Sequence, residues 1–484
     1  MKQHTMNHKW RGAVVLAVLT ASSCNQKPEP YGPLPTAAQV AWQRSEMNMF
    51  VHFGPNTFSG LEWGEGTEPE DLFQPSDLDC RQWTKIAKEA GLGGVILTAK
   101  HHDGFCLWPN PESGHTVAQS SWRDGKGDVL RELSKACEAD AVGFGIYISP
   151  WDRYDATYGT PAYNEVFVRT LQSALGNYGP VFEQWFDGAN GEGPNGKRQV
   201  YDWPLFNSTV ATLQPEAVIF SGVGPGCRWV GNERGIAGET NWSTLNTEGF
   251  TAGENPPSKE SLFCGDEGGT GWVPAECDVS IRPGWFWRES ENGQVKDLQT
   301  LLKIYYETVG RNAVLLLNVP PDKTGRLHAV DSARLMEFRA ALDEIFSKDL
   351  ALGASVKAPS LRGRQSAPKH LTDGDIDTFW AAPDGNLTPT LTLNFRSPVT
   401  FNRILLQEYI PLGQRVAGFT VEVLAENGIW EQVATGTTIG NKRLLLTEET
   451  TTRAIRIIID RSLAPPVLNG FSLFEDRVYC QIQD

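Results

Sequence analysis

Apolar runs and amphipathic helical segments take turns through about 300 residues of this chain, and the apolar runs do not alternate with polar residues. The runs fall at 49–54, 94–99, 142–148, 181–186, 217–222 and 313–319. Helical spacing covers 79–90, 128–137, 163–175, 295–309 and 328–346. A strand that is apolar on both sides is one covered on both faces, the situation of a parallel sheet flanked by helices. The repeat and its length predict an α/β fold, a (β/α)8-like barrel, rather than a doubly wound sheet. Neither GxGxxG nor GxxxxGK[ST] follows the first strand, which speaks against a nucleotide site. The segment 223–290 is rich in Gly, Trp and Glu without clear periodicity. It reads as an insertion lying over the strand ends.

After about residue 350 the texture changes. Short alternating stretches at 391–395, 404–407, 419–424 and 454–459, split by turns, predict a separate antiparallel β-sandwich. The expected division is therefore a catalytic barrel over 37–349 and a sandwich over 350–484, preceded by two short segments. The first, 1–23, has a positive head (Lys2, Lys9, Arg11), a short apolar run at 13–19 and small residues up to Ser23, directly before Cys24. The run is too short for a mature span, which needs about 20 residues. Small residues before a cysteine are the pattern of a lipoprotein signal, so Cys24 is the expected lipid anchor, with ordinary secretion as the alternative. The second segment, 24–36, reads as a Pro-containing tether. This predicts a periplasmic or outer-membrane lipoprotein of a Gram-negative bacterium, touching membrane only through its anchor. Seven cysteines remain after Cys24, scattered and without CxxC spacing. They support neither a disulfide framework nor a zinc site, although Cys264 and Cys277 could pair within one loop. A formal charge of −15 with no basic run excludes a nucleic-acid partner. Sixteen tryptophans suit sugar stacking and core filling alike.

In a barrel, polar residues just after strands share one rim. Collecting them gives His52, His101, His102, Tyr147, Trp185 and Asp187, with Glu62 and Trp63 on the first loop. Adjacent histidines on an extended segment point to opposite sides, so one of His101 and His102 could bind while the other packs. No HxxxH or HxH spacing supports a metal. Asp187 ends an apolar strand, where a carboxylate is costly to bury and useful for chemistry. It is either a nucleophile or an ordinary turn residue before Gly188. Glycoside hydrolysis needs a second carboxyl group over the same rim. Glu233, Glu239, Asp266 and Glu267 are the candidates. Glu233 follows Trp229 and Val230, which could desolvate it and raise its pKa as a general acid requires.

Four motifs in order, 49–54 (MFVHFG), Glu62-Trp63, 100–105 (KHHDGF) and 185–188 (WFDG), resemble the α-L-fucosidases of glycoside hydrolase family 29 over about 35–345. The resemblance implies that Asp187 is the nucleophile. It implies that His52, His101, His102 and Tyr147 bind fucose hydroxyls, that Glu62, Trp63 and Trp185 contact the sugar, and that Trp285 or Trp287 lies near its methyl group. The segment RWVGNERG is similar to the branch selective for α-1,3/1,4-linked fucose. That implies Glu233 as acid/base, with Glu239 as fallback, in a retaining double displacement on a fucosylated glycan without a catalytic cofactor. Alternatives are a retaining glycosidase of other specificity on the same barrel and a non-catalytic carbohydrate-binding lipoprotein. The stretch 371–380 (LTDGDIDTFW) resembles the loop of discoidin-like carbohydrate-binding modules. By that resemblance Asp373, Asp375, Thr378 and Glu475 would hold a structural calcium, an ion suited to oxygen-rich loops.

Overall fold

A computed structural model describes residues 27–479. The signal segment and Cys24 lie outside them. Eight parallel strands close into a barrel: β1 (Met47–Val51), β2 (Gly94–Lys100), β3 (Gly143–Ile148), β4 (Glu183–Trp185), β5 (Val218–Ser221), β6 (Cys227–Trp229), β7 (Ala275–Ser280) and β8 (Ala313–Asn318). Each pairs with the next, and β8 closes on β1 with Met47 opposite Leu315. The helices begin where the sequence supplies an acceptor for their unpaired N–H groups. Asp79 accepts from Gln82 N at 3.0 Å, Asp128 from Arg131 N at 2.9 Å and Asp297 from Thr300 N at 2.8 Å. These caps start helices Cys80–Glu89, Val129–Asp140 and Leu298–Thr308, which cover β1–β2, β2–β3 and β7–β8.

The segment 223–290 is more than an insertion. It contributes two barrel strands, β6 and β7. β5 and β6 are joined by 222–226 with no helix between them, and β6 is only three residues long. The helical period that announces the other units is therefore missing here. Between β6 and β7 lie the short helix Lys259–Cys264 and a two-stranded pairing of Thr244–Leu245 with Gly271–Trp272. Cys264 and Cys277 are both free thiols.

The C-terminal domain is antiparallel throughout. Its long strands Thr390–Glu408 and Arg443–Ser462 change register between Asn394 and Val399 and again after Phe401, so each bends and serves both faces. Trp380, Phe401, Phe419, Ile457 and Leu473 fill its core. This domain docks on the barrel base. Asn312, just before β8, accepts from Asn441 N at 2.7 Å and donates to Asn241 O at 3.0 Å. The described part of the expected tether does not stand free: Tyr31 N donates to Leu412 O at 3.1 Å and Arg415 donates to Glu29 O at 2.6 Å.

The acidic loop closes on itself. Thr378 donates to Asp373 at 2.9 Å, His370 contacts the same carboxylate at 2.8 Å, and Asp375 N donates to Asp373 at 3.1 Å. The Asp375 carboxylate accepts from Asp377 N at 3.0 Å, and Glu475 pairs with Arg477 at 2.6 Å.

Candidate active site

At the C-terminal ends of the strands a cavity of about 500 Å³ opens. Strand ends supply its polar groups, as sequence position demands. His52 follows β1. Its Nδ1 lies 2.9 Å from Asn318 Oδ1 at the end of β8. The Asn318 amide nitrogen donates to Ser280 Oγ (2.9 Å) and Trp285 O (2.8 Å), so Oδ1 accepts and His52 Nδ1 carries the proton. The His52 lone pair is then on Nε2.

His101 and His102 both line the cavity, with ring centroids 4.1 Å apart. The expectation that one of them packs away assumed an extended backbone, but β2 ends at Lys100 and the chain turns there. His102 Nδ1 sits 2.8 Å from Ser149 Oγ, whose own proton goes to Trp151 O at 3.0 Å. His102 Nδ1 therefore donates, and Nε2 lies 3.7 Å from Asp187 Oδ2. Burial lowers the pKa of all three histidines, to about 3 for His52 and about 4 for His102. Behind them Lys100 is buried against Asp152 at 3.0 Å, a pair that sequence reasoning did not single out.

Asp187 is held from two sides. Tyr147 donates to Oδ2 at 3.0 Å and Ala189 N to Oδ1 at 2.7 Å. Burial pushes the Tyr147 phenol well above its usual range, and the Asp187 charge adds to that. It is thus a donor at any ordinary pH. Trp185 forms the floor, stacked on Phe220 (centroids 4.0 Å, 7°) and on Tyr147 (5.2 Å, 28°). Trp285 forms a wall against His52 at 5.0 Å. Trp287 is turned away toward His328. Trp63, 55 % exposed, stands at the mouth against Trp151 and His102. Glu62 does not line the cavity. It accepts from Trp285 N at 2.6 Å and pairs with Arg288, so it holds the wall from behind.

Of the four carboxyl candidates for a partner, only Glu233 lines the cavity. Burial raises its pKa, opposed by a hydrogen bond from Trp285 and assisted by the charges of Asp187 and Glu62. Glu239 is 77 % exposed and faces Arg311 at 3.7 Å. Glu267 pairs with Arg461 at 2.5 Å, and Asp266 accepts from Asn246 N at 2.9 Å. A further carboxyl group, Asp278 on β7, also lines the cavity and accepts from Trp229 Nε1 at 2.8 Å. Burial, then the Glu233 charge, pushes its pKa well up. The signal was there in the spacing of Glu276, Asp278 and Ser280 on one face of a strand, but only once 275–280 is known to be a strand.

Residues 38–343 match the α-L-fucosidase family, and 355–467 match the F5/8 type C domain. The chain is 43 % identical over 470 residues to α-L-fucosidase 1 of Arabidopsis thaliana, covering 96 % of this chain and 92 % of that protein. The chain belongs to the α-L-fucosidase family. Its fold agrees. A glycoside hydrolase family 29 fucosidase of Ruminococcus gnavus, solved in complex with fucose, superposes with a TM-score of 0.86 at 32 % identity, over 94 % of this chain and 97 % of that one. A solved glycoside hydrolase family 29 member from an unknown rumen bacterium gives 0.81 at 38 % identity, over 93 % and 78 %. This fucosidase is thus a glycoside hydrolase whose barrel is joined to a discoidin-like domain.

Proposed function

We propose that this fucosidase removes terminal α-1,3/1,4-linked L-fucose by retaining double displacement, with Asp187 as nucleophile and Glu233 as acid/base. The observation that carries this is the pairing of two differently prepared carboxyl groups in one cavity. Asp187 is held in place by two hydrogen bonds that it accepts, while Glu233 is biased toward its protonated form. The cavity is closed below by Trp185 and Phe220, so it takes the end of a glycan and not its middle. Neutral His52 and His102 offer Nε2 lone pairs to sugar hydroxyls. Asp187 attacks the anomeric carbon while Glu233 protonates the leaving oxygen. Water then releases fucose with Glu233 as base, and the two carboxyl groups act across about 5–5.5 Å in such enzymes. The linkage preference rests on the segment RWVGNERG, which carries Glu233 at the mouth.

Asp187→Ala is expected to abolish turnover, with azide restoring it and giving fucosyl azide of inverted configuration. Glu233→Ala is expected to spare the first step only on substrates with good leaving groups. Near-normal activity of Asp187→Ala, or equal loss on all leaving groups in Glu233→Ala, would contradict the respective role. A panel of fucosides differing only in linkage tests the specificity: faster cleavage of α-1,2 than of α-1,3 or α-1,4 bonds would refute it.

A further inference from the structure

Below the cavity floor the barrel interior holds two carboxyl groups. Glu183 on β4 and Glu276 on β7 are completely buried among Val218, Phe220, Val314 and Leu316. Each has one oxygen tied to an indole. Trp42 Nε1 donates to Glu183 Oε2 at 2.7 Å, and Trp185 Nε1 donates to Glu276 Oε1 at 2.8 Å. Their other oxygens, Glu183 Oε1 and Glu276 Oε2, have no other donor. A carboxyl oxygen of Glu183 and one of Glu276 lie within 4.8 Å of each other. A proton between the two would satisfy both orphaned oxygens.

Among the described residues no cation is paired with either of them. The thiol of Cys227 on β6 is held protonated by burial. The next cation, Arg228, points outward to Leu262 O (3.0 Å), Val273 O and Asn241 (2.8 Å). Asp278 on β7 is bonded to Trp229. Two carboxylates this close in a dry interior cannot both ionise. Burial accordingly raises the pKa of both. Glu183 and Trp185 share one face of β4, and Asp187 follows two residues beyond it. The line of contacts therefore runs from the pair to Trp185, from its stacked face to Tyr147, and from the Tyr147 hydroxyl to Asp187.

We propose that Glu183 and Glu276 share a proton and act as a positioning pair for the sugar site, fixing the Trp185 indole that carries the cavity floor and backs Tyr147. The inference rests on the fucosidase reading of the cavity above it, but not on which carboxylate attacks.

The full chain with Glu276→Gln, and with Glu183→Leu and Glu276→Leu together, tests it. Gln keeps an acceptor for Trp185 and offers N–H to Glu183, so kcat/KM should stay within about threefold. The double leucine variant removes both carboxyl groups at once, which a core tolerates far better than losing one. It should melt near the wild-type temperature, yet lose about 10- to 100-fold in kcat/KM, with fucose binding weakened in parallel, because its indole is no longer anchored. A double leucine variant with wild-type melting and wild-type kinetics would overturn the proposal, as would Glu276→Gln being as impaired as the double variant. Infrared spectroscopy of the wild type near pH 8, well above the ordinary glutamate range, keeps the test decisive even if the leucine variant misfolds. A protonated carboxyl band that disappears in Glu276→Gln is expected, and no such difference overturns the shared proton. So does a tightly bound metal ion in the wild type, since Glu183, Cys227 and Glu276 present ligand atoms within 4.8 Å of one another. Asp187→Ala should abolish turnover and leave that band unchanged, so failure of the nucleophile assignment is separable from failure of the pair.

Discussion

Two of the three histidines of the cavity, His52 and His102, are each set to one task by their neighbours. A free imidazole would be partly charged near neutrality. His52 and His102 are instead kept neutral by burial, and each spends its Nδ1 proton on a protein oxygen, Asn318 Oδ1 or Ser149 Oγ. What remains is a directed lone pair, which can accept from a sugar hydroxyl. The arrangement carries a stability consequence. Their folded pKa values lie below the unfolded value of about 6.5, so the unfolded chain binds more protons as pH falls through that value. Stability should therefore decline from pH 6.5 down toward about 4, where His102 itself begins to protonate in the fold. The share from one such histidine is on the order of 1–3 kcal/mol. Denaturant unfolding at a series of pH values checks this. His102→Asn should show a shallower decline across that window than the wild type, and an equal slope would mean that His102 is not held neutral.

At the scale of the element, what was legible and what was hidden have a common cause. β1 to β4 announce themselves because each lies in an apolar run, followed for β1 to β3 by a segment of helical spacing. His52, His101, Tyr147 and Asp187 could be placed on one rim for that reason. β6 and β7 carry Arg228, Glu276, Asp278 and Ser280 inside their runs, and no helix separates β5 from β6. A strand whose inward side chains are carboxyls bonded to indoles looks like loop by composition, so Asp278 and Glu276 stayed invisible. Asn318 was hidden differently: it ends a strand correctly read as apolar, and its work is to orient another residue. The missing helix also makes 222–226 tight. Gly226 N donates to Ile219 O at 2.9 Å, and a Cβ on Gly226 would collide first with the Ile219 backbone, which cannot swing aside, and then with the Val218 side chain. Gly226→Ala should cost about 1–3 kcal/mol by overpacking. It should lower kcat as well, since the shifted turn leads into the loop that carries Glu233. A variant with unchanged denaturant midpoint would show that the β5–β6 connection has more room than the fold indicates.

For the whole molecule the question is whether the barrel and the C-terminal domain unfold as one. Their interface is more than a covering of apolar surface. Arg403 of the C-terminal domain is buried and pairs with Asp476 at 2.8 Å, and Tyr306 of helix Leu298–Thr308 donates to the same carboxylate at 2.7 Å. A barrel hydroxyl thus completes an ion pair that belongs to the other domain. Breaking such a buried pair from one side costs about 3–5 kcal/mol, because the charge left behind has no water to turn to. Arg403→Met should therefore lower the melting temperature of the barrel along with that of its partner domain, in one transition. The kcat/KM of the folded enzyme at 25 °C should stay close to wild type, because Tyr306 lies on an outer helix away from the cavity. Adding Asp476→Asn to Arg403→Met should recover part of the loss, since the uncompensated carboxylate is its cause. Two separated calorimetric transitions in Arg403→Met, with the barrel transition unmoved, would show instead that the domains are docked but not coupled.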